Sequence, residues 1–140
     1  LAMRGNPDSC GVWAPALSYA DGLFWLIYTN VRRFDGNYKD TPTYLTTAPA
    51  IDGPGSPGIY LNNSGFDPSL FHDDDGRKYL LNMVWDHRAT LPGRQPPADL
   101  FGGILMQEYD HAQQRLIGKV RKIFHRSLLA KHRRYRNPCR

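Results

Sequence analysis

Residues 64–81 read SGFDPSLFHDDDGRKYLL, and this stretch decides the fold. Its first half places the carboxylate of Asp67 between an aromatic residue and a proline, at the start of a predicted strand. Its second half is an acidic turn that ends in Asp75-Gly76 and leads into an apolar run. Asp-Gly between two apolar runs is a strong short-range signal for a β-hairpin, so we expect two antiparallel strands here.

The same sequence pattern occurs earlier in the chain, with alanine at the position that Asp67 occupies here. Asp67-Pro68-Ser69-Leu70-Phe71 matches Ala14-Pro15-Ala16-Leu17-Ser18 at an offset of 53 residues. Asp75-Gly76 matches Asp21-Gly22 at an offset of 54, which leaves one extra acidic residue in the second turn. An apolar run follows each Asp-Gly pair. This joint match favours a repeat over two unrelated meanders that share an Asp-Gly turn by chance.

The repeat predicts an all-β chain of short antiparallel strands. We expect strands at residues 12–20, 23–29, 43–47, 59–61, 67–71, 79–83, 103–109 and 118–124. Four such strands repeated at a period near fifty residues are typical of propeller blades. The prediction is a partial β-propeller of about two blades, one around residues 12–61 and one around residues 66–125.

The positive charge of the chain is concentrated in its last residues. The formal net charge is +5, but residues 126–140 hold six of the 18 basic residues and no acid, which leaves twelve basic against thirteen acidic residues elsewhere. We expect this basic tail to lie outside the propeller. Such a tail is either solvated or a binding segment for nucleic acid or anionic lipid. We expect no nucleic-acid partner.

The remaining composition excludes several classes of protein. No run of eighteen apolar residues is present, so no membrane span is expected. The first residues lack a signal-peptide pattern. The two cysteines, Cys10 and Cys139, are either free or joined in one bridge, and they form no disulfide framework or metal motif. These features favour a reduced, cytoplasmic compartment. We expect no metal and no cofactor, and the chain has no G-x-S-x-G motif for a serine nucleophile.

The repeat also selects candidate site residues. Ligands of propellers bind where the innermost strands open, and Ala14 and Asp67 are equivalent positions on those strands. Pro68 disfavours the helical region for the residue before it, so we expect Asp67 to be extended. Asp67, with Phe66 beside it, is a site candidate or a plain turn acid. Trp13 is either an aromatic platform for the apolar face of a sugar or a core residue.

Four segments resemble the β-xylosidases of glycoside hydrolase family 43. They are GVWAPALSY at 11–19, DGLFWLIYT at 21–29, NNSGFDPSLFHD at 62–73 and LNMVWDHR at 81–88. The likeness continues through residues 101–104, 107–110 and 116–119, and it covers roughly residues 3–125.

The resemblance implies a five-bladed propeller with three acids at its centre. They are a general base, a general acid, and an aspartate that orients the acid and raises its pKa. The family inverts the anomeric centre, with a water between the base and the sugar. Asp67 matches the aspartate that raises the pKa. Trp13, Ala14 and Trp85 match positions that line the xylose subsite, and Phe66 is placed with them.

The chain also departs from the family pattern. The general base of the family lies in a segment before residue 1. A Thr-Glu-Gly-Pro-His-Leu-Tyr type of motif with the general acid is expected after Phe124, but residues 127–140 contain no acid. We therefore expect a fragment that is inactive alone, with a tail that arose from a frameshift or a cloning scar.

The full-length enzyme is expected to act on xylo-oligosaccharides or aryl xylosides, with xylose or arabinose at the non-reducing end. Members of the family are often homo-oligomers, and no membrane partner is expected. The alternative is a propeller module that binds carbohydrate without hydrolysing it.

Overall fold

The chain folds into two four-stranded antiparallel sheets. A computed structural model describes residues 5–34, 39–85 and 101–125. Within these ranges the strands of each sheet lie side by side in chain order, β1-β2-β3-β4 in the first sheet and β5-β6-β7-β8 in the second. They are β1 (Gly11–Ala20), β2 (Leu23–Val31), β3 (Thr43–Ala48), β4 (Ile59–Asn62), β5 (Phe66–His72), β6 (Lys78–Trp85), β7 (Phe101–Asp110) and β8 (Arg115–Phe124). The predicted all-β class is confirmed.

Two features named from the sequence lie outside the described residues. They are the polar run that follows Trp85, at residues 86–88, and the basic tail at residues 126–140. In the part of the chain that the structure does describe, no helix has the length and apolar character needed to cross a membrane.

Each sheet begins with a hairpin whose turn follows from an Asp-Gly pair. Between β1 and β2, Asp21 has a φ of 53° and Gly22 a φ of 75°, as both central residues of a type I′ turn require. Between β5 and β6, Gly76 N donates to Asp73 O at 3.0 Å and Gly76 has a φ of 86°. Asp73 N also donates to Arg77 O at 2.9 Å, so this turn holds one residue more than the first, as the repeat predicts.

A β-bulge interrupts the first strand of each sheet at the same place. The pairing of β1 with β2 shifts between Trp13 and Ala16, and that of β5 with β6 shifts between Phe66 and Ser69. Ala14 has a φ of 36° and Asp67 a φ of 51°. The prediction that proline holds Asp67 extended was therefore wrong. The strand is paired on both sides of the bulge, and this constraint overrides the local preference of a residue before proline.

The hydrophobic core lies between the two sheets. Trp25, 1% exposed, is its largest buried side chain. The other buried members are Ile27 and Leu45 from the first sheet and Leu70, Leu80 and Tyr109 from the second. Because side chains alternate between the faces of a strand, the alternate residues of β2 supply one side of this core.

Polar contacts also join the two sheets, at the end that carries the Asp-Gly turns. Ser18 Oγ lies 2.8 Å from His72 Nε2. Lys78 Nζ lies 2.5 Å from the carboxylate of Asp21 and 5.0 Å from the ring centroid of Trp25. The hydrogen bond and the charge of Lys78 lower the pKa of Asp21. Lys78 is buried, and this ion pair together with the indole face compensates its charge.

His72 is held in its neutral form at the same junction. Burial lowers the pKa of its imidazole, the nearby charge of Lys78 lowers it further, and Asp21 acts in the opposite direction. The Nδ1 atom is buried and has no hydrogen-bond partner among the described residues. Protonation would therefore place a second positive charge between the sheets, near the ammonium group of Lys78.

We predict that the chain becomes less stable as the pH falls through the range in which histidine titrates. Because the folded-state pKa of His72 lies below the unfolded value, its contribution is complete above about pH 6.5 and is lost below it. The urea concentration at the midpoint of unfolding should decrease as the pH is lowered from about 7 to about 5. His72→Gln should flatten this dependence. An unchanged slope in this variant would contradict the assignment.

Candidate functional site

Three of the aromatic residues predicted from the sequence form one cluster at the bulged end of the sheets. Phe66 is 5% exposed and lies at its centre. Its ring centroid is 6.1 Å from that of Trp13, edge to face, and 5.3 Å from that of Trp85. Phe34 extends the cluster, with its ring centroid 5.6 Å from that of Trp13. The cluster therefore draws on both sheets.

Hydrogen bonding orients Trp13 at the edge of this cluster. Its Nε1 donates to Ser9 O at 2.8 Å, and the side chain is half-buried. The indole is therefore neither a fully buried core residue nor a free surface ring. A partly exposed indole can receive the apolar C–H surface of a sugar on its ring face.

Asp67 and Ala14 occupy the two bulges next to this cluster, and both are exposed. The burial of strand β5 alternates, with Phe66 and Pro68 buried on either side of Asp67. No hydrogen bond or ion pair joins the Asp67 carboxylate to another described residue. The bulge therefore presents a carboxylate to solvent from one sheet, and only a methyl group from the other.

A close backbone approach fixes Phe66 and Asp67 against β6. A Cβ atom on Gly65 would lie 2.0 Å from Met83 O and 2.3 Å from Asn82 Nδ2. Asn82 is 2% exposed, and its Nδ2 lies 3.5 Å from Ser64 Oγ. Only glycine allows the connection between the sheets to pass this close to β6, because any side chain there would overlap with backbone.

A cavity of about 240 Å³ opens beside the cluster. Its walls come from the loop before β3, from the connection between the sheets and from the end of β6: Lys39, Thr41, Asn63, Ser64, Gly65, Phe66, Val84 and Trp85. Lys39 Nζ lies 4.4 Å from the centroid of Trp85. The cavity thus combines aromatic faces with an ammonium group, an amide and hydroxyl groups, which suits a polyhydroxylated ligand of about one sugar ring.

The same residues offer little for metal chemistry. Within residues 5–34, 39–85 and 101–125, no three His, Cys, Asp or Glu side chains lie close enough together to hold a metal ion. The groups that can act on a ligand here are the Asp67 carboxylate, the Lys39 ammonium group and the aromatic faces.

Comparison with known protein families identifies the family of this chain. The profile of Glycosyl hydrolases family 43 matches residues 1–136. The chain belongs to glycosyl hydrolase family 43. The resemblance seen in the sequence is thereby confirmed, and the solved structures of this family that resemble the chain are five-bladed propellers.

Individual relatives match most of this chain and a small part of their own. Xylosidase/arabinosidase 43B of Humicola insolens is 58% identical over 124 residues, which are 89% of this chain and 22% of the relative. The β-xylosidase of Bacillus subtilis is 57% identical over 124 residues, with the same shares. The crystal structure of xylan β-1,4-xylosidase from Bacillus halodurans superposes with a TM-score of 0.79 at 55% identity, over 89% of this chain and 23% of that one. The chain therefore spans about a fifth of the length of these relatives.

The structure brings the sequence-predicted site residues together at one end of the two sheets. Trp13, Phe66 and Trp85 are in ring contact, and Ala14 and Asp67 are the bulge residues beside them. Their roles toward a substrate stay predictions.

Sequence reasoning missed the polar walls of the cavity. Lys39 and Thr41 lie in a loop without periodicity, and Asn63 and Gly65 were quoted only as part of a matching segment. The one available signal was Gly65 directly before Phe66, since a glycine at a strand entry indicates close backbone approach.

We predict that Gly65→Ala destabilises the chain by about 1–3 kcal/mol, because the new methyl group would overlap with the backbone of β6. Urea denaturation measures the change, and the fluorescence of Trp13 and Trp85 should shift with it as Phe66 is displaced. Gly58→Ala is the matched control, since its Cβ would meet only side-chain atoms, Tyr28 Oη at 3.3 Å and Tyr44 Cδ1 at 3.9 Å. Equal losses in the two variants would contradict the close-approach interpretation.

Proposed function

We propose that this chain forms one wall of the active site of a family 43 β-xylosidase, with Asp67 as the carboxylate that raises the pKa of the general acid. The observation that carries the proposal is the exposed Asp67 carboxylate on a bulge beside the Trp13, Phe66 and Trp85 rings. The high identity to proteins named as xylosidases supports the choice of substrate.

The substrate class follows from the cavity and the relatives together. The aromatic faces complement the C–H surface of a pyranose, and the ammonium group of Lys39 can donate to hydroxyl groups. Xylo-oligosaccharides and aryl xylosides with a xylose at the non-reducing end fit this chemistry. A relative is also named for arabinosidase activity, so an arabinofuranosyl end group is a second substrate.

The role that the family resemblance implies for Asp67 has an electrostatic basis. An ionised carboxylate close to a second carboxyl group disfavours ionisation of the latter and raises its pKa. A general acid must be protonated at the working pH to donate to the leaving oxygen, so such a neighbour keeps it functional. Asp67 makes no ion pair with the described residues, so this charge is available to act on a neighbouring acid.

The isolated chain should not hydrolyse xylosides. Of the three acids that the family uses, Asp67 alone has a matched position in these 140 residues. We expect no release of nitrophenol from an aryl xyloside by the purified chain. Turnover that Asp67→Asn abolishes would contradict this expectation.

A chimera tests the proposal in a complete enzyme. The 124 matching residues of this chain would replace their counterparts in the Bacillus subtilis β-xylosidase. Asp67→Asn in the chimera should lower kcat for an aryl xyloside by roughly 10²–10⁴-fold, the scale of general acid catalysis. It should also move the basic limb of the pH profile of kcat/KM to lower pH, because the general acid would lose the charge that raises its pKa.

Asp74→Asn is the matched control, since Asp74 is an exposed acid in the β5–β6 turn. Its profile should coincide with that of the unmodified chimera. An Asp67→Asn chimera with an unchanged basic limb would refute the assigned role, whatever its absolute rate.

A further inference from the structure

The cavity beside Trp85 owes its shape to the loop at residues 39–41, which carries Lys39. The ammonium group of Lys39 lies over the indole of Trp85 and also donates to Phe34 O. A cation over the face of a tryptophan is stabilised by the ring. A long lysine side chain loses considerable rotamer freedom in such a position, so its backbone must be fixed for the contact to persist.

Asn63 fixes that backbone from one side. Its Oδ1 accepts hydrogen bonds from Thr41 N at 2.7 Å and from Thr41 Oγ1 at 3.2 Å. Its Nδ2 donates to the Asp40 carboxylate at 2.9 Å. Thr41 is only 2% exposed, so the bonds to it are shielded from water on the Thr41 side. Both ends of the Asn63 amide are thus used on two consecutive residues of the loop.

The loop is held from its other side by the backbone of the two residues that follow β2. Asp40 N donates to Arg33 O at 2.8 Å, and Arg32 N donates to Asp40 O at 2.9 Å. Asn63 itself directly follows β4 and begins the connection to Phe66. One amide therefore ties the loop that carries Lys39 to the segment that places the aromatic cluster.

We propose that Asn63 is a positioning residue that holds Lys39 over Trp85 and so sets the shape of the cavity that receives a sugar. It does not itself need to touch the substrate. The part of this inference that concerns sugar binding rests on the proposed function, whereas the part that concerns Lys39 and Trp85 does not.

The chemistry of the contact explains why an amide is required. Asparagine supplies an acceptor for Thr41 and a donor for Asp40 at the same time. Aspartate at position 63 would keep the acceptor but face the carboxylate of Asp40 with a second negative charge. Asparagine at position 40 would then restore the missing donor from the opposite side. The pair can therefore be exchanged without loss of a hydrogen bond.

Nuclear magnetic resonance on the 140-residue chain tests the positioning directly. Protons next to the Lys39 ammonium group lie over the indole and should show an upfield ring-current shift. Asn63→Asp should abolish this shift. Asp40→Asn should keep it, because an amide oxygen still accepts from Asn63. The double exchange Asp40→Asn with Asn63→Asp should restore it. A shift that survives in Asn63→Asp, or a loss that the exchange fails to reverse, would overturn the proposal.

The chimera defined above tests the consequence for substrate. Asn63→Asp should raise KM for xylobiose by roughly tenfold, the scale of one hydrogen bond to a charged group, with kcat nearly unchanged. The double exchange should restore KM. If the ring-current pattern holds but KM does not move, the role in sugar binding is overturned. If the basic limb of the pH profile does not move in the Asp67→Asn chimera, the proposed function is wrong. The ring-current shift of Lys39 still tests the positioning role of Asn63 in that case.

Discussion

The structure depends on the packing of Trp25 between the two sheets. The indole is 1% exposed, and Leu70, Leu80 and Tyr109 of the second sheet close over the same core. Lys78 and Asp21 fix the edge of this contact with an ion pair. Because the sheets share one core at this end, the opposite ends of β1 and β5 are held side by side. That is where the two bulges and the aromatic cluster lie.

The repeat places two equivalent bulges at this end of the sheets, and the second bulge carries Asp67. Both first strands carry the same bulge before a proline, but one presents alanine and the other aspartate. A repeated strand whose bulge residue differs between the two copies can have a structural role in the first copy and a chemical one in the second. The strained φ of Asp67, 51°, is consistent with a position whose backbone is set by the sheet and whose side chain is free to serve a ligand.

Much of the fold could be predicted because its signals are local. Asp-Gly pairs mark the hairpins, and apolar runs of strand length follow them. The repeat was then sufficient to predict the order of the strands. The conformation of Asp67 could not be predicted from Pro68, because pairing with β6 decides it. The Asn63 bonds to the loop at residues 39–41 escaped prediction for a related reason. They join residues that are more than twenty positions apart, and no periodicity marks them.

We propose that Asp67 and the aromatic rings beside it face one sugar. A crystal structure of the chimera with bound xylobiose tests this most directly. We expect the xylose ring to lie against Trp13, Phe66 and Trp85, with the Asp67 carboxylate beside the general acid of the enzyme. A sugar bound away from these rings, or an Asp67 carboxylate remote from the general acid, would contradict the account.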